Sequence, residues 1–425
     1  MFEEEKDMEH NLVRRVVVTG VGAVTPIGLT FTDFWNNALA GKSGVSNIES
    51  FDVSEYPSRI AGEVKDFRSE DFFEKKLSRR MDRFIQFAYA ATLESLRDSR
   101  LDLESVDRDR AGIFIGSGIG GLKFIEEQKE IILKYGPKKV SPFLVPMTTI
   151  DMASGQISIY LGLRGPNFAV SSACATGNNA IGLAYEYIRS GQADVMFSGG
   201  TEAAIIPLCL SGFSAARALS IRNDDPQTAS RPFDSDRDGF VVGEGGAVLL
   251  LEEYQHAVDR GAHMYAEILG FSATGDGYHL TAPHPEGYGA QMAMRNAIAQ
   301  AGIEKEQVSY INAHGTSTGL GDVAEIRAIK SVFGDHAPNL NITATKSLIG
   351  HLLGGAGAVG AACAVKTVES GEMHPSINIF NQDPECDLNI ITEHKHEKVP
   401  YALCNAFGFG GHNTCLLFGA VLQGG

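Results

Sequence analysis

The stretch of sequence that decides the fold is residues 171–194, SSACATGNNAIGLAYEYIRSGQAD. It starts with small polar residues around Cys174, continues with the pattern of a Gly/Ala-rich helix, and ends in a Ser-Gly-Gln turn before an apolar run. Residues 344–373 follow the same plan, from Thr-Lys-Ser through a Gly/Ala-rich helix to a Ser-Gly-Glu turn. This repetition indicates two related halves that meet near residues 265–270. The alternative is that any two strand–helix–strand units look alike.

Elsewhere, short β-branched runs alternate with helical patterns. Strands are predicted at residues 15–19, where a glycine turn follows, and at residues 112–116, 195–198 and 247–251. Residues 81–95 have the spacing of a helix. The alternation predicts an α/β fold with buried sheets.

Composition and charge exclude several classes of protein. The chain has 425 residues, 44% hydrophobic and 21% charged, which is typical of a globular protein with more than one domain. No run approaches the roughly 20 apolar residues of a membrane-spanning helix. The net charge of −16 argues against non-specific binding of nucleic acid.

The N-terminus and the cysteines indicate the compartment. Residues 1–9 carry five acids and one lysine, unlike a secretory signal or a transit peptide. The six cysteines show no CxxC pair, which is typical of reduced thiols in a large chain. We therefore expect a cytoplasmic protein, or one inside an organelle after removal of a targeting segment.

Small residues surround a candidate nucleophile, Cys174. The apolar run before it stops at Ser-Ser-Ala, and a helical pattern follows. A helix N-terminus favours a thiolate, so this position predicts a reactive cysteine. The alternative is a buried structural cysteine.

Two histidines occupy similar small-residue turns. His314 follows the predicted strand YINA, and His351 follows Lys346 in the sequence TKSLIGH. Imidazoles at strand ends commonly act in catalysis in α/β proteins. A third stretch, residues 405–413 (NAFGFGGHN), predicts a flexible loop whose backbone N–H groups could bind an oxyanion, or else an ordinary glycine-rich hairpin.

The sequence gives only weak indications of two other kinds of site, a dinucleotide-binding loop and a metal site. Residues 116–121 read GSGIGG and fit the GxGxxG pattern of dinucleotide loops, but no strand ending in a ribose-binding acid follows within about 20 residues. The 12 histidines include no HExxH pair, and His394 and His396 lie in a charged, surface-like stretch. We therefore expect no metal and no cofactor.

Four motifs in this chain resemble those of the β-ketoacyl-acyl-carrier-protein synthases, in particular the type II elongating branch. They are SSACATG around Cys174, NAHGTST around His314, TKSLIGHLLGGAG around Lys346 and His351, and NAFGFGGHN. The similarity runs from about residue 14 to residue 418. It implies a decarboxylating Claisen condensation of malonyl-acyl-carrier-protein with a cysteine-bound acyl chain in fatty acid elongation. Acyl carrier protein is the implied partner.

The resemblance also implies a fold. Family members have a thiolase-like architecture, in which two duplicated halves form layers in the order α-β-α-β-α, and they are homodimers. Residues 14–265 would form the half with the nucleophile, and residues 266–425 the half with the catalytic histidines. An acidic tail, residues 1–13, lies outside the resemblance.

Roles for the central residues follow from the same resemblance. Cys174 is the implied nucleophile, and His314 and His351 are the implied pair of catalytic histidines. The backbone N–H groups of Cys174 and Phe409 would bind an oxyanion, and Phe407 and Phe409 would gate the site.

Residues around this centre are also implied by the resemblance. Lys346 is similar to a catalytic lysine of the family, and Asp322 and Glu325 to its charged support. Ile119 and Phe213 correspond to positions that line the family's acyl tunnel.

A carrier protein of acidic character requires a local basic patch on this acidic chain. The candidates are Lys65, Arg68, Arg217 and Arg222, with Arg217 and Arg222 preferred because they flank the ARALS motif.

Two other functions remain as alternatives. One is a polyketide-type ketosynthase, and the other is a non-catalytic partner like the chain-length factors of polyketide systems. Chain-length factors replace the nucleophile, so Cys174 argues against the second. His351, where thiolases and initiating synthases carry other residues, favours the elongating branch.

Overall fold

The computed structural model describes residues 13–422. The predicted acidic tail, residues 1–13, lies outside the described residues except for Val13. The strands are β1 (Val16–Val24), β2 (Ser46–Asn47), β3 (Ile60–Ala61), β4 (Ala111–Gly116), β5 (Asn167–Phe168), β6 (Val195–Glu202), β7 (Gly245–Glu253), β8 (Ala266–Gly275), β9 (Tyr310–Asn312), β10 (Asn341–Thr343), β11 (Glu372–Met373), β12 (Lys395–His396), β13 (Tyr401–Gly408) and β14 (His412–Gly419). The α-helices are α1 (Phe31–Leu39), α2 (Lys75–Ser78), α3 (Arg83–Ser99), α4 (Leu122–Tyr135), α5 (Leu144–Thr148), α6 (Met152–Leu161), α7 (Thr176–Arg189), α8 (Pro207–Ala215), α9 (Tyr254–Asp259), α10 (Tyr288–Ala301), α11 (Gly319–Phe333), α12 (Lys346–Ile349) and α13 (Ala356–Ser370).

The main sheet shows the predicted duplication. Within residues 13–422 it contains ten strands in the order β10-β9-β13-β14-β8-β1-β7-β6-β4-β5. The parts β5-β4-β6-β7-β1 and β10-β9-β13-β14-β8 have the same plan, with two parallel pairings followed by two antiparallel ones. They meet where β1 pairs with β8. The duplicated fold is confirmed, and the division of the chain at residue 265 stays a prediction.

Side chains of alternate strand residues point to opposite faces and so define the layers. In β7, Leu249 packs in a central cluster with α7 and α13, whereas Leu250 packs on the outer face with α3 and α6. In β14, Leu416 faces the central cluster and Leu417 faces α10 and α11. The order is therefore helix, sheet, helix, sheet and helix, as the resemblance implied.

The first strand differs from its prediction. A glycine turn was expected after residue 19, but β1 continues through Gly20 and Gly22 to Val24. A Cβ atom at Gly20 would lie 2.2 Å from the carbonyl oxygen of Ser95 in α3. Glycine occurs here because the helix lies directly on the strand, so the prediction of a turn is wrong.

The two helices of the central layer also approach each other through glycine. A Cβ atom at Gly177 in α7 would lie 2.5 Å from the backbone nitrogen of Ala358 in α13. One at Gly182 would lie 2.1 Å from the Phe271 ring of β8. The absence of side chains at these positions lets α7 pack against both the second helix and the second sheet.

This contact predicts the effect of one added methyl group. Gly177→Ala should lower the free energy of unfolding by about 1–3 kcal/mol, because the methyl group has no space beside Ala358. Gly212→Ala in α8 is the matched control, since a Cβ atom there meets no atom within 4 Å. That control should leave stability unchanged or raise it by up to about 1 kcal/mol. Urea unfolding measures both, and equal effects of the two substitutions would contradict the packing.

Candidate active site

The predicted nucleophile lies at the start of a central helix. Cys174 precedes the first residue of α7 by two positions, and 9% of its surface is exposed. Ala173 has a φ of 51°, a strained left-handed conformation for a residue with a side chain. Gly408 of β13 lies against this turn, because a Cβ atom there would be 2.7 Å from the Ser172 carbonyl oxygen. The turn therefore holds the thiol beside the β13–β14 hairpin.

The thiol of Cys174 is neutral in the structure. Burial raises its pKa to about 12, while Lys346 and hydrogen bonds from the backbone N–H groups of Phe409 and Cys174 lower it, and Glu202 raises it further. Burial thus opposes the thiolate that the helix N-terminus predicts, and the reactive thiolate stays a prediction. The two N–H groups are nevertheless the donors predicted for an oxyanion.

His314 and His351 line the same cavity as Cys174. Their ring centroids are 5.5 Å apart, and the ring planes are almost perpendicular. The backbone N–H of Leu353 donates to Nδ1 of His351 at 3.3 Å, so the proton of that ring is on Nε2. Burial, with the charge of Lys346, lowers the pKa of both histidines well below its ordinary value. Both rings are therefore neutral hydrogen-bond donors at physiological pH.

A buried lysine and two buried carboxylates hold the loop that carries His314. Lys346, the first residue of α12, donates from Nζ to the His314 carbonyl oxygen. Glu325 of α11 accepts from the N–H groups of His314 and the next residue, both at 2.8 Å. Asp322, one turn earlier, accepts from residues 316 and 317. The predicted support residues thus act on the backbone of the loop.

A cavity of about 530 Å³ opens in front of Cys174. The predicted pocket residues Ile119 and Phe213 both line it. Phe240, which the sequence analysis does not identify, also lines it, and its ring meets Phe213 edge-on at 5.3 Å between centroids. These side chains give the cavity an apolar wall.

Phe407 and Phe409 lie on a hairpin rather than in the predicted flexible loop. β13 extends to Gly408, which pairs with His412 of β14, so the alternative of a glycine-rich hairpin is correct. The Phe407 ring lies 5.4 Å from His314 between centroids, and Phe409 is 37% exposed at the edge of the cavity. The hairpin turn therefore forms part of the site.

Glu202, the last residue of β6, is a buried site residue that no sequence motif marks. Its carboxylate accepts from the N–H groups of Gly118 at 2.8 Å and Ile119 at 3.2 Å, and from the Ser117 hydroxyl at 2.6 Å. It also accepts from the N–H of Gly354 at 3.0 Å. The GxGxxG-like loop, residues 116–121, thus binds an internal carboxylate. The only signal in the sequence is an acid at the end of an apolar strand.

The four predicted docking residues are not equivalent. Arg217 is exposed and lines the cavity, so it lies where the cavity meets solvent. Arg222 donates to the carbonyl oxygen of Asp236 and does not line the cavity. Lys65 and Arg68 are exposed and each is paired with a carboxylate. The structure therefore places only Arg217 of these four at the cavity.

Other features of the described part of the chain concern metals, membranes and disulfides. Between residues 13 and 422, no group of three or more His, Cys, Asp or Glu side chains is arranged to hold a metal ion. No helix in that same part is long and apolar enough to cross a membrane. The six cysteines are all free thiols.

The fold and site correspond to a known family. The description "Beta-ketoacyl synthase, N-terminal domain" matches residues 13–257, and "Beta-ketoacyl synthase, C-terminal domain" matches residues 265–380. This chain belongs to the β-ketoacyl synthase family.

Two curated proteins are similar to this chain over almost their whole length. The chain is 50% identical over 406 residues to 3-oxoacyl-[acyl-carrier-protein] synthase 2 of Synechocystis, which covers 95% of this chain and 98% of that protein. It is 48% identical, with the same coverage, to the protein of that name from Staphylococcus aureus strain COL.

Solved structures share the fold across almost the whole chain. A type II polyketide ketosynthase in complex with its acyl-carrier protein, AntDE:AntF, has a TM-score of 0.90 at 34% identity and covers 96% of this chain and 100% of its own. A β-ketoacyl synthase from Burkholderia phymatum has the same TM-score and coverage at 35% identity. At this identity, the likeness extends from the fold to the family.

The protonation state of Cys174 gives a pH-dependent prediction. Because its pKa is raised to about 12, the thiolate fraction should increase about tenfold per pH unit between pH 6 and pH 9. Alkylation of Cys174 by iodoacetamide, followed by peptide mass spectrometry, should rise with the same slope. Lys346→Met should slow alkylation at each pH, because the ammonium lowers the thiol pKa. A rate that reaches a plateau below pH 8 would show that the resting group is a thiolate.

Proposed function

We propose that this protein is an acyltransferase that condenses malonyl-acyl-carrier-protein with a cysteine-bound acyl chain, releasing carbon dioxide and β-ketoacyl-acyl-carrier-protein in fatty acid elongation. The observation that carries the proposal is the arrangement in one apolar cavity. The Cys174 thiol, whose pKa the backbone N–H groups of Cys174 and Phe409 lower, lies in the same cavity as two neutral histidines, His314 and His351. This arrangement suits both thioester exchange and the stabilisation of an enolate.

In the first half-reaction, Cys174 takes the acyl group. Its sulfur attacks the thioester carbonyl of the acyl carrier protein, and the carbonyl oxygen becomes an oxyanion. The N–H groups of Cys174 and Phe409 bind that oxyanion. When the carrier thiolate leaves, it receives the proton that the Cys174 thiol loses. The exchange therefore balances, and the neutral resting thiol suits it.

In the second half-reaction, malonyl carrier protein loses its carboxylate as carbon dioxide. The bonding electrons move into the thioester to give an enolate, whose oxygen accepts from Nε2–H of His314 and His351. The enolate carbon attacks the acyl carbonyl, the Cys174 thiolate leaves, and it takes one proton from solution. Each hydrogen-bond donor to such an oxygen is typically worth about 10²–10³ in rate.

The remaining polar residues keep this arrangement in place. Lys346 and Glu325 hold the His314 loop from opposite sides through its carbonyl and N–H groups. Phe407 and Phe409 line the cavity, and the Phe407 ring lies beside His314, so their rings would protect the enolate from water. Both roles are inferred from these contacts.

Two observations favour fatty acid elongation over the alternatives. The 48–50% identical relatives are fatty-acid-type synthases, whereas the polyketide ketosynthase is 34% identical. Cys174, which a non-catalytic partner does not need, lies in the cavity with both histidines.

We further infer that Arg217 lies in the docking surface for the acidic carrier protein, because it is exposed at the cavity mouth. Lys65, Arg68 and Arg222 stay as weaker candidates for this surface. Ile119 and Phe213 are proposed to contact the acyl chain, since both line the apolar wall.

A homodimer is the proposed assembly. Strand β5 is at the end of the sheet, and its Phe168 is 37% exposed. Leu133, Val145 and Ile159, on three helices of the same half, are 74%, 64% and 76% exposed. A second copy that pairs along β5 would cover such a surface, since large exposed apolar patches commonly mark interfaces.

For the compartment, we propose the cytoplasm or the interior of an organelle. The six free cysteines support a reducing environment.

Substitution of the catalytic residues should separate the two half-reactions. Cys174→Ala should abolish acyl transfer, because no sulfur remains to accept the chain. His314→Ala and His351→Ala should still form acyl-Cys174, while condensation falls by about 10²–10³ in rate. Single-turnover acylation from acyl carrier protein, read by mass spectrometry, and carbon dioxide release measure the two steps.

Cys209, a buried cysteine in the same apolar cluster as Cys174, provides the control for this experiment. Cys209→Ala should retain acylation, since its thiol is not the acceptor. If both histidine variants remained folded but failed to acylate, the histidine roles would be wrong. An acyl adduct on a residue other than Cys174 would contradict the proposed reaction.

Charge reversal at the cavity mouth should affect carrier-bound substrates selectively. Arg217→Glu should raise KM for acyl carrier protein severalfold at low salt and less at high salt, because exposed charges act mainly on association. Reaction with a small thioester surrogate should stay within about twofold. Arg164→Glu, which changes the net charge equally at an exposed ion pair outside the cavity, is the matched control. Equal losses on both substrate types would exclude Arg217 from docking.

A further inference from the structure

A chain of buried polar side chains lies next to the catalytic loops and is not used by the mechanism above. Asn312 is the last residue of β9, Thr345 lies two residues after β10, and His374 follows β11. All three are buried, with at most 4% of their surface exposed. Asn312 Nδ2 lies 2.8 Å from Thr345 Oγ1, which lies 3.1 Å from His374 Nε2. Polar groups at this depth persist because they pair with one another.

The direction of each hydrogen bond in this series of side chains is determined at its His374 end, where the Pro375 carbonyl can only accept. His374 Nδ1 lies 3.0 Å from the Pro375 carbonyl oxygen, which can only accept, so Nδ1 carries the proton. Burial lowers the pKa of His374 to about 4, which leaves Nε2 unprotonated and able to accept. The Thr345 hydroxyl therefore donates to Nε2, and its oxygen accepts from Asn312 Nδ2. No member of this chain can reverse without losing a bond.

The chain connects the ends of the two strands that lead to catalytic residues. β9 and β10 are parallel neighbours, so their ends lie side by side. Asn312 is two residues before His314, and Thr345 immediately precedes Lys346. Lys346 joins the same two segments a second time through the His314 carbonyl. The backbone N–H of Ala313 also donates to the Thr343 carbonyl oxygen at 2.8 Å. Beyond that backbone bond, the two side-chain bonds, Asn312 to Thr345 and Lys346 to the His314 carbonyl, continue the link between the segments on each side of the His314 turn.

His351 and Cys174 are held by contacts other than the hydrogen bonds of Asn312, Thr345 and His374. His351 is held by its backbone N–H bond to Val241 at 2.7 Å and by the Leu353 N–H at Nδ1. Cys174 belongs to the start of α7. A disturbance at Thr345 should therefore move His314 and Lys346 relative to the other two groups.

We propose that His374 and Thr345 are positioning residues for decarboxylation, because their directional hydrogen-bond chain to Asn312 extends the pairing of β9 and β10 to the segments that carry His314 and Lys346. The inference rests on the proposed condensation for its catalytic readout. It assigns no contact with substrate to either residue. Its effect is on the placement of one enolate donor.

Thr345→Val removes the central hydroxyl and keeps the shape of the side chain. The rate of condensation should fall about tenfold or more, since small misplacement of a catalytic group is costly. Acylation of Cys174 and KM for malonyl carrier protein should change much less than condensation, because the nucleophile and its backbone donors are unmoved and only Lys346, whose charge lowers the thiol pKa, is displaced. Thr345→Ser, which restores the hydroxyl, should recover most of the rate.

Thr343→Val is the matched control, because Thr343 is also buried two residues away and the short bond of its hydroxyl is to Tyr310, at 2.6 Å. The Thr343 hydroxyl lies 3.5 Å from both Asn312 Nδ2 and His374 Nε2, at the limit of hydrogen-bond distance, so the shorter bonds through Thr345 remain in this variant. It should lose less than twofold in condensation. His374→Leu should reproduce the Thr345→Val pattern, and His374→Gln, whose amide oxygen can accept from Thr345, should recover part of the rate.

A readout without substrate separates this inference from the proposed function. Amide hydrogen exchange at residues 313–317 and 345–348 should be faster in Thr345→Val than in Thr343→Val. If exchange is faster in Thr345→Val but the wild-type protein does not catalyse condensation, the proposed function is wrong and the positioning role of Thr345 stands. Unchanged exchange, equal losses in both half-reactions, or equal effects of the two valine variants would overturn the positioning role.

Discussion

The geometry of the site depends on the backbone contact between the two central helices. Gly177 of α7 and Ala358 of α13 touch without an intervening side chain. Because each helix belongs to a different half of the duplicated chain, this contact brings one turn from each half to the same place. Cys174 comes from the turn before α7, and His351 from the turn before α13. The distance between nucleophile and donor is therefore set by rigid backbone rather than by long side chains.

Burial in the same central layer determines the charge of the proposed catalytic groups. Desolvation keeps the Cys174 thiol and the rings of His314 and His351 uncharged. Burial also lowers the pKa of Lys346, while Glu325 and nearby groups oppose that effect. A site of neutral donors can stabilise negative charge when it forms during reaction, without binding an anion tightly beforehand. The carboxylates instead pair with backbone N–H groups, where they shape loops.

The sequence predicts features that depend on local pattern and fails where distant segments meet. Cys174 and His314 could be identified because small residues follow apolar runs, a pattern that reports where strands end and helices begin. Glu202 could not, because its role depends on the Ser117 hydroxyl and the N–H groups of residues 118, 119 and 354 converging on it. Gly20 signals a turn in isolation, yet its cause is contact with α3. The acidity of the thiol likewise depends on burial that no local motif encodes.

The neutral, buried state of Cys174 also bears on how the enzyme withstands oxidants. Peroxide attacks thiolates, and the first product is a sulfenic acid. A protonated thiol with 9% of its surface exposed offers little of the reactive species while the enzyme waits for substrate. In the proposed reaction, the thiolate exists chiefly at the close of each cycle, after the product departs from sulfur and before a proton arrives. Damage should therefore accumulate with turnover rather than with time.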